Sequence, residues 1–580
     1  MKIQALLRVK YLVLSWFFIP LFFVGCVAVN LPQSPPQSDG GAVVYHSELT
    51  DPEAKAFFAF SRFRMLGADN RWEEAIAVLK QAISFDPESD YLQLILAKAY
   101  LYRQQPEQAV TALEVILDRT PESVAGHKLL GDVLSFQQKY APAIDHFRHA
   151  IALTPENVEL RLRLAMALFR LKHKDEAIAG LEELLEQHPE ADFSRLTLAR
   201  FYLDNQQEEK ALVAYQQLLE RQPEQVQAVL EYGKLLEQQD PAAALDLYHS
   251  FISRNPRAAA VRQQLAQQFL VQQQLNNALM QLQKVRQQLP DNWQVINQIG
   301  LIQLELENWA AAEVTFRLLL EKETQQEGHR YYLAMALSEQ GKLTEAISAL
   351  KPVGRDSSVY TEAVLQLGYL YKQSGQNNQA IAVLQQAIEQ KIHHPDLYYY
   401  LVAFLGDRED HQEAIQISLD GVEKNPEEIQ LLYQLGVLYE KLEMRQTAIA
   451  TMEKILLLDA EHADALNFLA YDQAEKGTNL DTALKRAQIA LARKPSGYIV
   501  DTLGWIYFKM ERYPESREQL EKAAELYPDD AVIQEHLGDL YRAMKLWEKA
   551  AAVYRRALKI DPEAQQVEEK LRELLIREGH

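Results

Sequence analysis

Apolar and polar positions follow a helical period through almost the whole chain after residue 50. Apolar residues recur at steps of three and four, and short polar stretches separate one apolar stripe from the next. Two successive stripes are formed by Leu129, Leu130, Val133 and Leu134 and by Ala143, Ile144, Phe147 and Ile151. Residues at these steps lie on one face of an α-helix. The pattern therefore predicts a long series of amphipathic helices, two in each unit.

The units repeat with a period of about 34 residues. One small residue marks each unit, with three slips in which the spacing is 33, 35 and 33. The fifteen markers are Ala75, Ala109, Ala143, Ala177, Ala211, Ala244, Ala278, Ala312, Ala346, Ala380, Ala414, Ala448, Ala483, Ser516 and Ala550. A single unit cannot bury its own apolar face, so such units must stack on their neighbours.

Residues at fixed distances from the marker explain how the two helices of a unit pair. Small residues stand about twelve positions before it, at Gly131, Ala165, Ala199, Gly300, Ala334, Gly368, Gly436, Gly504 and Gly538. Aromatic residues often stand four positions after it, at Phe147, Tyr215, Tyr248, Phe316 and Tyr554. The small residues allow a close approach that the rings fill, and prolines such as Pro87, Pro121 and Pro155 end the second helix.

These positions resemble the tetratricopeptide (TPR) repeat, most clearly in L-G-x-x-Y at Leu367–Tyr371, Leu435–Tyr439 and Leu537–Tyr541. The resemblance implies an all-α, right-handed superhelical solenoid of about 15 helical hairpins over residues 51–562. A polar-faced helix over 563–580 is expected to cap it. The pattern is irregular at 321–330 and 351–360, and one extra residue lengthens the turn at 476–481.

The first 25 residues have the features of a secretory signal. Three basic residues precede an uncharged apolar run from Tyr11 to Val24, which is 14 residues long and short for a membrane-spanning helix. The run ends at Phe23-Val24-Gly25-Cys26, which resembles the lipobox of bacterial lipoproteins. Cys26 is the only cysteine of the 580 residues. The resemblance implies a signal peptide over 1–25 and acylation, including palmitate, at Cys26.

An uncleaved transmembrane anchor is the alternative, since the apolar run can be extended to Val29. Residues 26–50 are rich in Pro, Ser, Gln and Gly, a composition that predicts a flexible tether after the lipidated residue. Val27 and Ala28 follow Cys26 where an Asp would stand in proteins kept at the inner membrane. By this resemblance we expect an outer-membrane lipoprotein that faces the periplasm.

The chemistry of catalysis is hard to find in this sequence. It contains no GxGxxG, HExxH, GxSxG or phosphate-binding loop motif, and the repeats leave no room for a separate catalytic domain. We therefore predict no enzyme activity, no catalytic residues, no cofactor and no metal site. His146 and His149 on one helical face, and His393 beside His394, are the places where a two-histidine metal site can be drawn. Isolated histidines of this kind more often lie at a surface or boundary.

The charge argues against nucleic acid as a partner. Removal of residues 1–25 leaves 57 bases against 81 acids, a net charge of −24. A surface of this sign repels phosphate backbones and anionic headgroups alike. Protein binding remains as the predicted function. In TPR proteins generally, the first helix of each unit lines a concave groove in which partners bind. By this analogy the groove candidates are Leu162, Met166, Leu196, Tyr331, Met335, Tyr369, Tyr400, Phe404, Tyr433, Tyr471, Trp505 and Phe508.

The groove candidates from Tyr331 onward form an aromatic series suited to an extended peptide or a partner helix. The alternative is that each ring packs only against the next repeat. Residues 466–541 resemble the C-terminal repeats of large TPR lipoproteins, some of which bring peptidoglycan-cleaving enzymes to a carboxyl-terminal processing protease. This resemblance implies a lipid-anchored periplasmic adaptor that acts in envelope protein turnover or assembly. Other possibilities are a scaffold in a polysaccharide or type IV pilus export machine and an enzyme with an unusual site.

Overall fold

The structure is a computed structural model that describes residues 51–322 and 326–577. Within these two ranges the only regular secondary structure is α-helix, in 31 segments. The predicted signal peptide, Cys26 and the predicted tether lie outside the described residues. The chain divides into two compact units, which meet in sequence between Ser194 and Arg195.

The first unit contains eight complete helices and the start of a ninth. They are α1 (Pro52–Ala68), α2 (Trp72–Phe85), α3 (Asp90–Tyr102), α4 (Pro106–Arg119), α5 (Val124–Phe136), α6 (Tyr140–Leu153), α7 (Val158–Arg170), α8 (Lys174–Gln187) and α9 (Asp192–Asp204). In this unit each odd-numbered helix from α1 to α7 pairs with the following helix as an antiparallel hairpin, and the hairpins pack in chain order.

The second unit continues the same alternation. Its helices after α9 are α10 (Glu208–Arg221), α11 (Val226–Gln239), α12 (Pro241–Arg254), α13 (Ala259–Val271), α14 (Leu275–Gln288), α15 (Trp293–Glu305), α16 (Trp309–Lys322), α17 (Glu327–Glu339), α18 (Leu343–Leu350), α19 (Tyr360–Gln373), α20 (Asn377–Glu389), α21 (Pro395–Asp407), α22 (His411–Lys424), α23 (Ile429–Lys441), α24 (Arg445–Leu458), α25 (Ala463–Lys476), α26 (Leu480–Arg493), α27 (Gly497–Lys509), α28 (Tyr513–Leu526), α29 (Ala531–Ala543), α30 (Trp547–Ile560) and α31 (Gln565–Arg577).

The marker residues are buried in every hairpin. All fifteen have no exposed surface, including Ser516, whose hydroxyl donates to the Gly504 carbonyl oxygen at 2.8 Å. The paired small residue is needed for space: a Cβ built on Gly131 would lie 2.6 Å from Cε1 of Phe147. The prediction of an all-α protein built from helical hairpins is confirmed, and the packing explains why the period tolerates only small residues at these positions.

Helix ends follow from local chemistry. Ser89, Ser123 and Asn157 cap first helices, with side-chain oxygens that accept from main-chain N–H groups three residues later. Between the two helices of a hairpin, the residue five positions before the marker adopts a left-handed conformation in thirteen of the fifteen units, as at Gln104 with φ 58°. Only Gly341 and Gly375 fill that position with glycine.

Two of the irregular segments of the sequence, 351–360 and 476–481, coincide with irregular structure. α18 has 8 residues, whereas the other second helices have 13, as in α20, or 14, as in α2. Turns replace its last part before Tyr360. The lengthened turn after α25 has two left-handed residues, Gly477 and Asn479.

At the far end of the second unit, α31 packs on α30 and buries Val567 and Leu574, each 2% exposed.

Candidate protein-binding groove

The first helices of consecutive hairpins form a row in the second unit. α19 contacts α21, α21 contacts α23, and α25 contacts α27, in addition to the pairing of each with its own second helix. The side chains on the free face of this row are available to a partner that crosses several repeats. The aromatic candidates from Tyr331 to Phe508 are all carried by these odd-numbered helices.

Most of the aromatic candidates are partly accessible. Tyr369 is 38% exposed, and the half-buried aromatic members are Tyr331, Tyr400, Phe404, Tyr433, Tyr471 and Phe508; Met335 is also half-buried. The rings of Tyr400 and Phe404 lie 6.4 Å apart on α21, and the Lys372 ammonium of α19 lies 5.7 Å from the Phe404 ring centre. Lys372 also pairs with Asp407 at 3.0 Å. An aromatic contact and an ion pair therefore link neighbouring first helices.

Two classes of tyrosine are distinguished by what the hydroxyl does. The four described tyrosines without any exposed surface donate to carboxylates: Tyr215 to Glu231 at 2.9 Å, Tyr248 to Glu237 at 2.7 Å, Tyr398 to Asp420 at 3.0 Å and Tyr554 to Asp539 at 2.5 Å. The hydroxyls of the groove tyrosines make no hydrogen bond to any residue that the structure describes; these are Tyr331, Tyr369, Tyr400, Tyr433 and Tyr471. The fold uses their rings for packing and leaves their polar ends unused.

The partly buried groove hydroxyls remain protonated at neutral pH. Burial, with smaller contributions from Glu362 and Tyr332, raises the pKa of Tyr331 to about 12. Burial also raises the pKa of Tyr400 and of Tyr433 above the ordinary tyrosine value. A hydroxyl in this state is a hydrogen-bond donor, and a main-chain carbonyl oxygen of an extended segment is a suitable acceptor.

Trp505 occupies a different environment from the other candidates, because it is only 5% exposed. Its ring stacks on His536, with centres 4.0 Å apart, and on Phe508, with centres 4.7 Å apart. Its indole N–H donates to the Glu475 carboxylate, and Lys509 lies over the ring at 4.6 Å. The ring of Trp505 is therefore engaged within the fold, and its predicted role in the groove stays a prediction.

A buried ion pair lies beneath these rings. His536 Nδ1 donates to the Asp501 carboxylate at 2.9 Å, and the two side chains are 6% and 8% exposed. Burial acts to lower the pKa of His536, but the Asp501 charge and hydrogen bond, with Glu475 and Asp539, raise it above its ordinary value. The repeat pattern does not predict this pair. Its only signal was a polar residue within each of the apolar stripes of α27 and α29.

The three remaining candidates lie earlier in the chain. Leu162 of α7 is buried and Met166 of the same helix is 45% exposed, both in the first unit. Leu196 of α9 is buried, 3% exposed, in the part of that helix that belongs to the second unit. Buried side chains such as Leu162 and Leu196 hold the repeats together. The role of all three residues in a groove also stays a prediction.

The histidines considered as metal ligands have other partners. His127 Nε2 donates to the Pro121 carbonyl oxygen at 2.8 Å, and its Nδ1 lies 2.9 Å from Nδ1 of His146. The His149 ring stacks on that of His127. His393 Nδ1 lies 2.7 Å from the Tyr398 hydroxyl. Among the residues described, no group of three or more His, Cys, Asp or Glu is arranged to hold a metal ion.

The described helices also show no transmembrane segment. In the described ranges 51–322 and 326–577, no helix is both long and apolar enough to cross a bilayer.

Family models described as "Tetratricopeptide repeat" match this chain in six stretches, at residues 68–133, 137–196, 196–256, 337–403, 429–462 and 502–564. Together these stretches make up more than half of the chain. The hairpin stack with a small marker in every unit is the architecture of a protein-binding repeat protein. The chain belongs to the tetratricopeptide-repeat family, whose members bind other proteins and generally serve as non-catalytic scaffolds.

A curated relative is similar over part of the chain. The TPR repeat-containing protein PA4667 of Pseudomonas aeruginosa is 27% identical over 215 residues, which are 36% of this chain and 35% of that protein. The match thus spans about a third of the relative's length. The name of that protein states only its repeat type.

Solved TPR structures are similar at low identity. A tetratricopeptide repeat protein from Parabacteroides merdae is 18% identical, with a TM-score of 0.34, over 43% of this chain and 99% of that one. The protein TTC0263 of Thermus thermophilus is 20% identical, with a TM-score of 0.25, over 31% and 98% of the two chains. Both TM-scores are well below 0.5.

Proposed function

We propose that this protein is a lipid-anchored scaffold that binds extended segments of other proteins along the row of groove tyrosines in its second unit. The observation that carries the proposal is the division between the two tyrosine classes. The hydroxyls of the four tyrosines without exposed surface are paired with carboxylates, whereas the half-buried Tyr331, Tyr400, Tyr433 and Tyr471 make no hydroxyl bond to a described residue. Half-buried rings with unused donors suit an extended chain, because the rings contact side chains and the hydroxyls bond carbonyl oxygens.

The anchor and the location are part of the same proposal. Residues 23–26 support acylation at Cys26, and the residues after it support delivery to the outer membrane, where the scaffold would face the periplasm. The resemblance of residues 466–541 supports envelope proteins as partners, in particular a periplasmic protease and peptidoglycan hydrolases. On this proposal the chain performs no reaction itself and increases the local concentration of proteins that do.

The groove is tested by removing hydroxyls without removing rings. In the full chain, Tyr400→Phe, Tyr433→Phe and Tyr471→Phe are combined, and binding to arrayed overlapping peptides from periplasmic proteases and cell-wall hydrolases is measured. Each lost hydrogen bond is expected to weaken binding by about 1 kcal/mol, or roughly fivefold. The matched control combines Tyr91→Phe and Tyr102→Phe, two exposed tyrosines of the first unit. Equal binding by both variants would reject the groove.

The anchor is tested separately at Cys26. Cells that express the wild-type chain or Cys26→Ser are supplied with labelled palmitate, and the protein is then fractionated with membranes. We expect label and outer-membrane recovery only for the wild type, with unchanged helical circular dichroism in both. Label retained by Cys26→Ser would exclude lipidation at this residue.

A further inference from the structure

The outer face of α1 carries large apolar side chains that nothing described covers. Phe57 is 73% exposed, Phe58 is 63% exposed and Met65 is 69% exposed. The opposite face of the same helix buries Ala59, Phe63 and Leu66 against α2. The helix is therefore well packed on one side, and its exposed apolar groups follow one another along the other side.

The repeat register shows which face this is. Phe58, Arg62 and Met65 stand one full repeat before Leu92, Leu96 and Ala99 of α3, which are 6%, 7% and 4% exposed. One period later the same positions in α5 are Gly126, Leu130 and Val133, all buried. In those hairpins this face packs against the second helix of the preceding unit. α1 thus presents a stacking face, and no described helix precedes it.

The charges on this face argue against another hairpin as its partner. Arg62 takes the position that Leu96 and Leu130 fill in the next two repeats, and a guanidinium buried there without a partner would cost several kcal/mol. Arg64 and Arg62 are both exposed beside Met65. The acids Glu53 and Asp69 lie at the two ends of the helix, away from this pair. The nearby Glu74 of α2 interacts with Arg62, but its carboxylate is bonded to Arg71 at 2.8 Å. The middle of the exposed face of α1 therefore carries two arginines and no acid of its own.

Aromatic side chains together with arginines on one helical face are the composition of helices that lie in a membrane interface. The rings enter the boundary between headgroups and acyl chains, and guanidinium groups pair with lipid phosphates. The described chain begins one residue before this helix, and residues 27–50 separate it from Cys26. Those residues span at most about 80 Å, so a bilayer that holds Cys26 is within reach of α1.

We propose that the exposed face of α1 binds an anionic membrane surface, with Phe57, Phe58 and Met65 among the lipids and Arg62 and Arg64 at the phosphates. The proposal rests on the lipid anchor of the proposed function for its geometry, since the anchor keeps α1 near the bilayer. It adds a second membrane contact to the first, and two contacts retain a protein far more firmly than one. It also fixes the end of the hairpin stack against the bilayer surface.

The test uses a fluorescent probe in the full chain. Cys26→Ser with Met65→Cys leaves one thiol for an environment-sensitive dye, and residues 1–25 are kept so that the apolar run remains available to the vesicle. The vesicles contain phosphatidylethanolamine, with or without phosphatidylglycerol, and nitroxide lipids as quenchers. The control carries Phe136→Cys in place of Met65→Cys, because Phe136 of α5 is 78% exposed in the same unit.

With phosphatidylglycerol we expect at least threefold more quenching at position 65 than at position 136. Omission of phosphatidylglycerol, or addition of Arg62→Glu with Arg64→Glu, is expected to reduce the difference to the control level. Equal quenching at the two positions overturns the proposal. The proposal is also overturned if, without vesicles, the dye at position 65 is already protected from quenching by aqueous iodide. Protection that is lost on dilution would show that a second copy of the chain covers α1. Protection that persists on dilution would show that the chain's own upstream residues cover it.

Failure of the anchor and failure of this inference give different results. Palmitate labelling of wild-type Cys26 without lipid quenching at position 65 rejects only the role of α1. Quenching at position 65 without labelling of Cys26 rejects only the anchor.

Discussion

Two buried histidine sites, one in each unit, use the same kind of hairpin scaffold with opposite electrostatics. In the first unit, His127 of α5 faces His146 of α6 across 2.9 Å. In the second unit, His536 of α29 faces Asp501 of α27 across 2.9 Å. The histidines are held at similar positions before their markers, and the partner decides what burial does to them. The first contact joins the two helices of one hairpin and the second joins the first helices of two hairpins, and the pKa shifts of His146 and His536 have opposite signs.

The direction of each pKa follows from the contacts. His127 donates through Nε2 to a carbonyl oxygen, so its Nδ1 accepts from the Nδ1–H of His146, and a further proton has no acceptor between the rings. Burial first, and then the His127 and His149 charges, lower the pKa of His146. At the second site the Asp501 carboxylate overcomes burial and raises the pKa of His536.

The largest effect is expected from Asp501→Ala, which leaves His536 buried without its carboxylate. We expect a loss of about 3 kcal/mol in local stability. Hydrogen exchange followed by mass spectrometry should show faster exchange in peptides from α27 and α29. Asp481→Ala, an exposed acid in the first turn of α26, is the matched control and should leave exchange unchanged. Unchanged protection in Asp501→Ala would mean that the ion pair does not hold these helices together.

His146→Asp should convert the first site into the second type. An aspartate oxygen is as far from its Cα, in bonds, as Nδ1 of histidine, so it can accept a hydrogen bond from protonated His127. Because the new ion pair requires a charged imidazole, the variant should be most stable below about pH 6.5 and lose stability as pH rises above that value. Hydrogen exchange in α5 and α6 across pH, corrected for intrinsic rates, measures this. His146→Asn supplies the oxygen without the charge and should show no such loss.

In the wild type the two sites should respond to pH in opposite directions. His146 has a lowered pKa, because the fold favours its neutral form. The folded state is therefore most stable at this site above about pH 6.5, and it loses stability as pH falls. His536 has a raised pKa, so its contribution is present below about pH 6.5 and is lost as pH rises. One linked proton limits each slope to about 1.4 kcal/mol per pH unit. Parallel exchange profiles for α5–α6 and α27–α29 would contradict the comparison.

The smallest effect is expected from His149→Ala. His149 is exposed, and its Nδ1 donates to the Asp145 carbonyl oxygen of its own helix, so its loss should cost less than about 0.5 kcal/mol. Its charge helps to lower the pKa of His146, so the variant should lose somewhat less stability at acidic pH than the wild type. The same exchange measurements at pH 5.5 and 7.5 test this. A steeper loss would assign His149 a role in holding the site together.

The helical hairpins could be predicted because their determinants repeat. The markers and the glycines that face aromatic rings recur at a fixed period, so each repeat supports the prediction from the others. The left-handed turn residue five positions before the marker was not predicted, because Gln, Glu, Lys and Asn fill it far more often than Gly. Its conformation is imposed by the close packing of the two helices and not by local propensity.

The groove could be predicted only in part. Helical position places Tyr400 and Tyr433 on first helices, but it does not show that their hydroxyls lack partners while that of Tyr248 is paired. Nor does it bring His127 to His146, residues that belong to different helices 19 positions apart. Such details depend on which side chains meet across helices, and the repeat pattern says little about polar residues that occur once.

The short α18 has a mechanical consequence. Each hairpin of the second unit touches mainly its neighbours, so a pulling force along the stack is carried through every interface in series. A series of links yields at the weakest one, and α18 offers little more than half the contact length of the other second helices. Extension of this unit should therefore start beside Leu350 and leave the hairpins on either side folded, which makes this position a built-in strain release.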